Sequence, residues 1–170
     1  MRERLARVLL RIGRSLRRKY LSWRYPNLTL EYGVVITGRF RLLGTGAIRV
    51  GAGSRLVNVR LRVDGKLDIG RNCYLNGACV VCMQAITIGD DCIISDAYLT
   101  DTDFHNVQPE LRHAPPGPKT MRPIVIERNV WIGDRGVVLK GSQIGADSVV
   151  GSNAVVRGTV APRSLCMGNP

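Results

Sequence analysis

An all-β parallel β-helix is the fold class this sequence predicts, and three observations predict it. Aliphatic residues stand at Ile126, Ile132, Val138, Ile144, Val150 and Val156, six residues apart each time. Small residues dominate the positions four further on: Val130, Gly136, Ser142, Ser148, Ala154 and Val160. Between them come Arg135, Gly141, Asp147 and Asn153, three of which are residue types that tolerate the positive φ of a sharp corner. Neither the 3.6-residue period of a helix nor the two-residue period of a single strand produces a step of six. One short strand plus one corner per hexad does, and three hexads of about 18 residues close one triangular turn of a solenoid.

The pattern extends upstream once per turn. "VGAGSR" begins at Val50, "IGRNCY" at Ile69 and "IGDDCI" at Ile88, and the starts are 19 residues apart, one coil plus one residue. Ser54, Cys73 and Cys92 fall at matching positions, which makes the two cysteines stacked interior spacers rather than ligands. Aromatic residues are only 5% of the chain against 45% hydrophobic, which suits a core of stacked Ile, Val and Leu. Five cysteines, an odd number without metal-ligand spacing, point to a reduced, cytoplasmic setting. No run approaches the ~18 apolar residues of a membrane span.

The net charge of +12 is concentrated at the start of the chain. Residues 1–24 hold nine Arg or Lys (Arg2, Arg4, Arg7, Arg11, Arg14, Arg17, Arg18, Lys19, Arg24) against Glu3 alone, a local charge of +8. Leu5, Val8, Leu9, Ile12, Leu16 and Tyr20 recur at helical spacing, so residues 1–24 are expected to form a basic amphipathic helix, stopped before Pro26. Such a helix suits an anionic membrane surface; it equally suits a cap on the open end of the solenoid or an oligomer contact. Nucleic-acid binding is disfavoured, because no recognition motif accompanies the charge.

The repeat breaks after the coil that begins at Ile88 and resumes at Ile126. The intervening Pro115, Pro116, Gly117 and Pro118 cannot join a ladder, so a loop at about 106–122 is expected to project from a solenoid domain spanning 25–170. His105 stands at its root beside Asp101 and Asp103, and His113 lies within it. Excursions from a rigid scaffold are where sites concentrate.

These hexads resemble those of the bacterial hexapeptide-repeat acyltransferases, over about Val34 to Pro170, and most closely the sugar and polysaccharide O-acetyltransferase branch. The resemblance implies a left-handed coil; handedness does not follow from spacing. It identifies His105, in "TDTDFHN", with the loop histidine that serves these enzymes as general base. Only two histidines are present, which disfavours the three-histidine metal site of β-helix carbonic anhydrases, so no metal is expected. Asp101 or Asp103 would set the imidazole tautomer, or either is a solvated loop acid. His113 is a loop residue that could touch substrate.

Asn76, in "LNGACVV", aligns across a one-residue gap with an asparagine near the acyl carbonyl or the acceptor. Trp131, in "NVWIG", matches a tryptophan near the pantetheine arm, or is surface packing. The Gly133, Ser152 and Arg157 neighbourhood resembles coils that offer backbone amides to pantetheine, while Arg157 and Arg163 would meet the coenzyme's phosphates. The implied donor is acetyl-CoA and the implied assembly a homotrimer with its site between subunits. Relatives commonly continue beyond the "GNP" signature with a short basic helix, and this sequence ends there at Pro170. An O-acetyltransferase acting on a sugar or polysaccharide-precursor hydroxyl is therefore expected, at the inner face of the membrane if residues 1–24 bind lipid. N-acetylation of an amino sugar or nucleotide sugar is the enzyme alternative. A non-catalytic β-helix for binding or assembly is the alternative of another class.

Overall fold

The computed structural model describes residues 2–169. Met1 and Pro170, and the side chains of residues 2–5, 7, 8 and 11, lie outside it. The expected helical roles of Leu5, Val8, Arg2, Arg4, Arg7 and Arg11 therefore lie outside the described residues, as does the end of the chain at Pro170.

Helix α1 (Arg2–Arg24) precedes twenty short strands that wind into a three-sided prism of about seven turns. The first face is a seven-stranded parallel sheet from β1 (Leu28–Leu30) to β19 (Thr159–Val160). The second, also seven-stranded, runs from β2 (Val35–Thr37) to β20 (Leu165–Cys166). The third has six strands, from β3 (Arg41–Leu43) to β18 (Val155–Val156). Each face carries one interior residue of every coil in register, as in Leu56, Leu75, Ile94, Ile132 and Val150 on the second. All six predicted hexad aliphatics are buried. No coil can bury its apolar side alone; stacking makes one continuous core.

Corner chemistry sets the coil length. Arg135, Gly141, Asp147 and Asn153 all adopt positive φ, at 55°, 76°, 62° and 59°. In the lower coils the interior residues step by six from Ile126 to Val156. In the upper coils they step six, five and eight, as in Ile69, Leu75, Val80 and Ile88, which produces the 19-residue repeat. One expectation is corrected. Val160 is not a small corner residue; the corner after Val156 is two residues shorter, so Val160 pairs with Ile144 in the next interior position. Cys73 and Cys92 are the interior spacers expected, buried with Ser54. Each thiol donates to a carbonyl of the following coil, Cys73 to Gly89 and Cys92 to Glu127, both at 3.1 Å.

Helix α1 packs against β1 and β2 and ends at Arg24, as the sequence predicts. Its orientation differs from the capping expectation. The contacting flank is the buried Leu21 with Arg17, which donates to the Gly38 carbonyl at 2.5 Å, and Arg18, which reaches the Glu31 carbonyl at 3.4 Å. Leu9, Ile12, Leu16, Tyr20 and Trp23, spaced along one helical stripe, all stay more than half exposed. Among the described side chains, the helix covers the first coil with Leu21, Arg17 and Arg18 and leaves its apolar stripe from Leu9 to Trp23 exposed.

Candidate active site

The loop leaves the prism at the corner between the third and first faces, after β12 (Tyr98–Thr100) and before β13 (Ile124–Ile126). An antiparallel bridge between Thr102 and Met121 closes its base, flanked by Arg122 N–H on the Asp101 carbonyl (3.0 Å) and Asp103 N–H on that of Thr120 (2.9 Å). The excursion thus starts three residues earlier than spacing suggested. Within it, the Asn106 amide donates to the carbonyls of Leu111, Ala114 and Pro115 at 2.8–3.2 Å, and its oxygen accepts from Gly117 N–H at 3.4 Å. One side chain therefore satisfies backbone groups that have no ladder to join. His113 sits exposed in this loop.

His105 is exposed, its N–H bound to the Asp103 carbonyl at 2.8 Å, and among the described residues its ring makes no hydrogen bond. What aims it outward is the residue before it. Phe104 adopts φ 62°, a left-handed conformation that a bulky residue holds only when its surroundings impose it. Those surroundings are two buried threonines and an arginine. Thr100 Oγ1 donates to the Thr102 carbonyl, Thr102 Oγ1 accepts from Phe104 N–H at 3.0 Å, and the Arg62 guanidinium lies 5.7 Å from the Phe104 ring centre.

The two aspartates have separate partners. Asp101 is fully buried, and its carboxylate accepts the N–H groups of Met83 (2.7 Å), Gln84 and Ala85 (both 2.8 Å). It holds the preceding coil's turn and, among the described residues, makes no bond to His105, so the expectation that it orients the imidazole is corrected. Its charge, after burial itself, helps push the Cys82 thiol up to about 12. Asp103 pairs with Lys140, which also donates to the Lys119 carbonyl at 3.0 Å. Asp103, Arg122, Lys140 and Arg157 line a cleft of ≈ 620 Å³ at the loop's foot. Spacing did not single out Lys140, Arg122 or Asn106; their roles depend on contacts across coils.

Trp131, Gly133 and Ser152 come together on the second face. Trp131 is 52% exposed in β14 (Trp131–Ile132), in register with the exposed Ile93 and with Val149, which itself pairs with Leu165. This is an outward apolar column. A Cβ on Gly133 would stand 2.9 Å from Ser152 N and 3.0 Å from its Oγ, so glycine lets this corner stack closely on the next coil. Arg157 lies instead at the loop corner, and Arg163, at φ 57°, on the corner between first and second faces. Asn76 ends β8 (Tyr74–Asn76) on the second face, at the corner before the third, whereas His105 emerges beyond the third. One protomer does not bring Asn76 and His105 together.

Residues 123–158 match the family described as bacterial transferase hexapeptide (six repeats). That stretch is similar to the hexapeptide-repeat transferases. The chain is 35% identical over 105 residues to galactoside O-acetyltransferase of Escherichia coli, an alignment covering 61% of this chain and 51% of that one. A hexapeptide-repeat acetyltransferase from Vibrio cholerae superposes with a TM-score of 0.60 at 27% identity, over 99% of this chain and 86% of that one. A galactoside acetyltransferase in complex with coenzyme A superposes at 0.50 with 26% identity, over 76% and 61%. The chain spans about half the length of the curated relatives it matches first.

Proposed function

We propose that this protein is an acetyl-CoA-dependent O-acetyltransferase acting on a sugar or glycan hydroxyl, with His105 as general base. The observation that carries the proposal is an exposed imidazole that follows a left-handed Phe104 at the root of the loop, between Asp103 and Val107, which line the cleft there. An acyl thioester is already activated, whereas an alcohol attacks poorly until its proton is removed. Neutral His105 takes that proton as the acceptor oxygen attacks the thioester carbonyl. The tetrahedral oxyanion then collapses, expelling the coenzyme thiolate, which is protonated by the imidazolium. The similarity to galactoside O-acetyltransferase and to a coenzyme A complex supports the donor and the acceptor class.

The separation of His105 and Asn76 within one chain supports a homotrimer whose sites lie between subunits, the Trp131 column of one facing the loop of the next. In that arrangement Gly133 and Ser152 receive the pantetheine arm, and Arg157 and Arg163 its phosphates. Asp103 stays at the cleft as the partner of Lys140 rather than as a proton carrier.

Thiol release from acetyl-CoA in the presence of mono- and oligosaccharide acceptors tests the chemistry. His105→Ala is expected to lose roughly two to four powers of ten in turnover while still binding coenzyme A. Acceptor-dependent release that survives the substitution sinks the base assignment. The absence of both release and coenzyme binding in wild type sinks the enzyme. An alkali-labile product marks an ester; an alkali-stable one marks the amide of N-acetylation.

The apolar stripe of α1, flanked by Lys19 and Arg24, suits one occupant, a bilayer with anionic headgroups. No helix among the described residues is long and apolar enough to cross a membrane, so the contact would be peripheral. Flotation with phosphatidylcholine–phosphatidylglycerol vesicles at low salt is expected for wild type and lost in Ile12→Asp/Leu16→Asp. If wild type does not float, or if the double variant changes only the oligomer mass, the stripe is not a membrane anchor.

A further inference from the structure

We propose that Arg41 and Arg60, with Arg62 beside them, form a binding site for a phosphate or diphosphate carried by the acceptor. The inference rests on the transferase reading and names a substrate class for it: a glycosyl phosphate or diphosphate rather than a neutral sugar.

The decisive feature is how differently the solenoid treats its arginines. On the first face and at the neighbouring corner, each of three has an acid one coil away. Arg49 lies between Glu31 (2.9 Å) and Asp68 (2.5 Å), Arg71 meets Asp90 at 3.2 Å, and Arg128 meets Asp147 at 3.3 Å. The Asp68 bond and charge hold Arg49 above its usual range. On the second face, Arg55 lies over the Tyr74 ring at 5.6 Å.

On the third face two arginines stand side by side instead. Arg41 of β3 pairs in register with Arg60 of β6 (Arg60–Val63), and the next residue along that row is Cys79. Strands in a sheet lie about 4.8 Å apart, so two guanidinium groups rise from adjacent backbones on one face. Like charges directly opposite are destabilising. Among the described residues neither Arg41 nor Arg60 has an acid within ion-pair distance, although both are exposed. Arg62 points to the same face from β6, and its only acid is the exposed Asp64 at 3.7 Å.

Three cations thus border one shallow depression of ≈ 260 Å³ whose floor is apolar, with Leu43 and Val81. An uncompensated arginine pair of this kind matches the oxygen fork of a phosphate, which takes bidentate hydrogen bonds from each guanidinium. An apolar floor adjoining it suits the hydrocarbon side of a sugar ring or lipid.

Position decides between the acceptor and the coenzyme. The arginines stand in the first coils, before the loop, whereas Trp131, Gly133, Ser152 and Arg157 all stand in coils after it. His105 lies between the two groups, and it is physically tied to the arginine site, because Arg62 packs against Phe104, its immediate neighbour. A donor arriving from the later coils and a phosphorylated acceptor from the earlier ones would meet at the imidazole.

Calorimetry with inorganic pyrophosphate at low ionic strength tests the site without relying on turnover. Wild type is expected to bind it, and Arg41→Gln/Arg60→Gln to bind it at least about tenfold more weakly, with coenzyme A affinity unchanged. A second arm compares a glycosyl diphosphate with the same sugar lacking phosphate as acetyl acceptors; the double variant is expected to raise KM for the first selectively. Absent or unaltered pyrophosphate binding overturns the proposal. So does loss of coenzyme A affinity, which would make the row a cofactor site, or a changed oligomer mass, which would make it a subunit contact. If pyrophosphate binding behaves as expected but no acetyl transfer is found with any acceptor, the transferase reading fails while the anion site stands.

Discussion

Asp101 shows how a single buried side chain can serve the site without entering the chemistry. Three backbone N–H groups of the Met83–Ala85 turn depend on its carboxylate, and it lies just before the strand bridge at the foot of the loop. Asp101→Ala leaves all three donors of this partly buried turn without their acceptor and is expected to destabilise the fold by about 2–3 kcal/mol. Asp101→Asn retains one acceptor and should cost less, and chemical denaturation of both variants checks the order. Equal stability of wild type and Asp101→Ala would refute this account. The cysteines make a second residue-scale prediction. Hydrogen bonding to Cys73 and burial push the Cys92 thiol up, and burial together with Asp101 pushes Cys82 up to about 12. A maleimide at mildly alkaline pH should therefore modify only the partly exposed Cys79 and Cys166 in the native protein, and all five in denaturant. Native labelling of Cys82 would contradict its burial. The sequence placed two acids beside His105 but had no means of separating them. Their partners, the Met83–Ala85 amides for one and Lys140 for the other, lie on other coils, and hexad spacing does not encode side-chain contacts between coils.

At the scale of elements, the regular parts were legible because they repeat. The six interior aliphatics, the positive-φ corners and the end of α1 all follow from local residue type and period. What escaped was set by geometry outside the period: the two-residue shortening that turns Val160 inward, the loop base at Thr102 and Met121, and the direction of the α1 stripe. A helical pattern reveals an apolar stripe but not which flank meets the body. The loop carries its own prediction. Asn106 holds it through bonds to four other backbone positions, all near the surface. Asn106→Ala is expected to lower global stability by less than about 1 kcal/mol, since little of the core is involved. It should nevertheless open the loop to proteolysis between Val107 and Gly117 at a clearly raised rate. Unchanged cleavage would show that the prolines and the two short 3-10 turns, Pro109–Leu111 and Pro118–Thr120, hold the loop without it.

The whole molecule poses the question of where one active site ends and the next begins. In a single prism, Asn76 marks the corner before the third face and His105 emerges from the corner beyond it, so the width of a face separates them. On the proposed mechanism, a donor and an acceptor that touch both residues would take one of them from a neighbouring prism. If His105 of one subunit works with Asn76 of the next, two inactive variants must repair each other. Asn76→Ala and His105→Ala homotrimers are each expected to be strongly impaired. When the two are denatured, mixed in equal amounts and refolded together, about a quarter of the sites should combine an intact His105 with an intact Asn76 across an interface. Activity should rise toward about a quarter of the wild-type value, while each variant refolded alone stays low. A site contained within one chain predicts no recovery at any mixing ratio, because every chain then lacks one of the two groups. Mass measurement on the mixture separates that outcome from failure to form mixed oligomers, so the experiment tests the shared site directly.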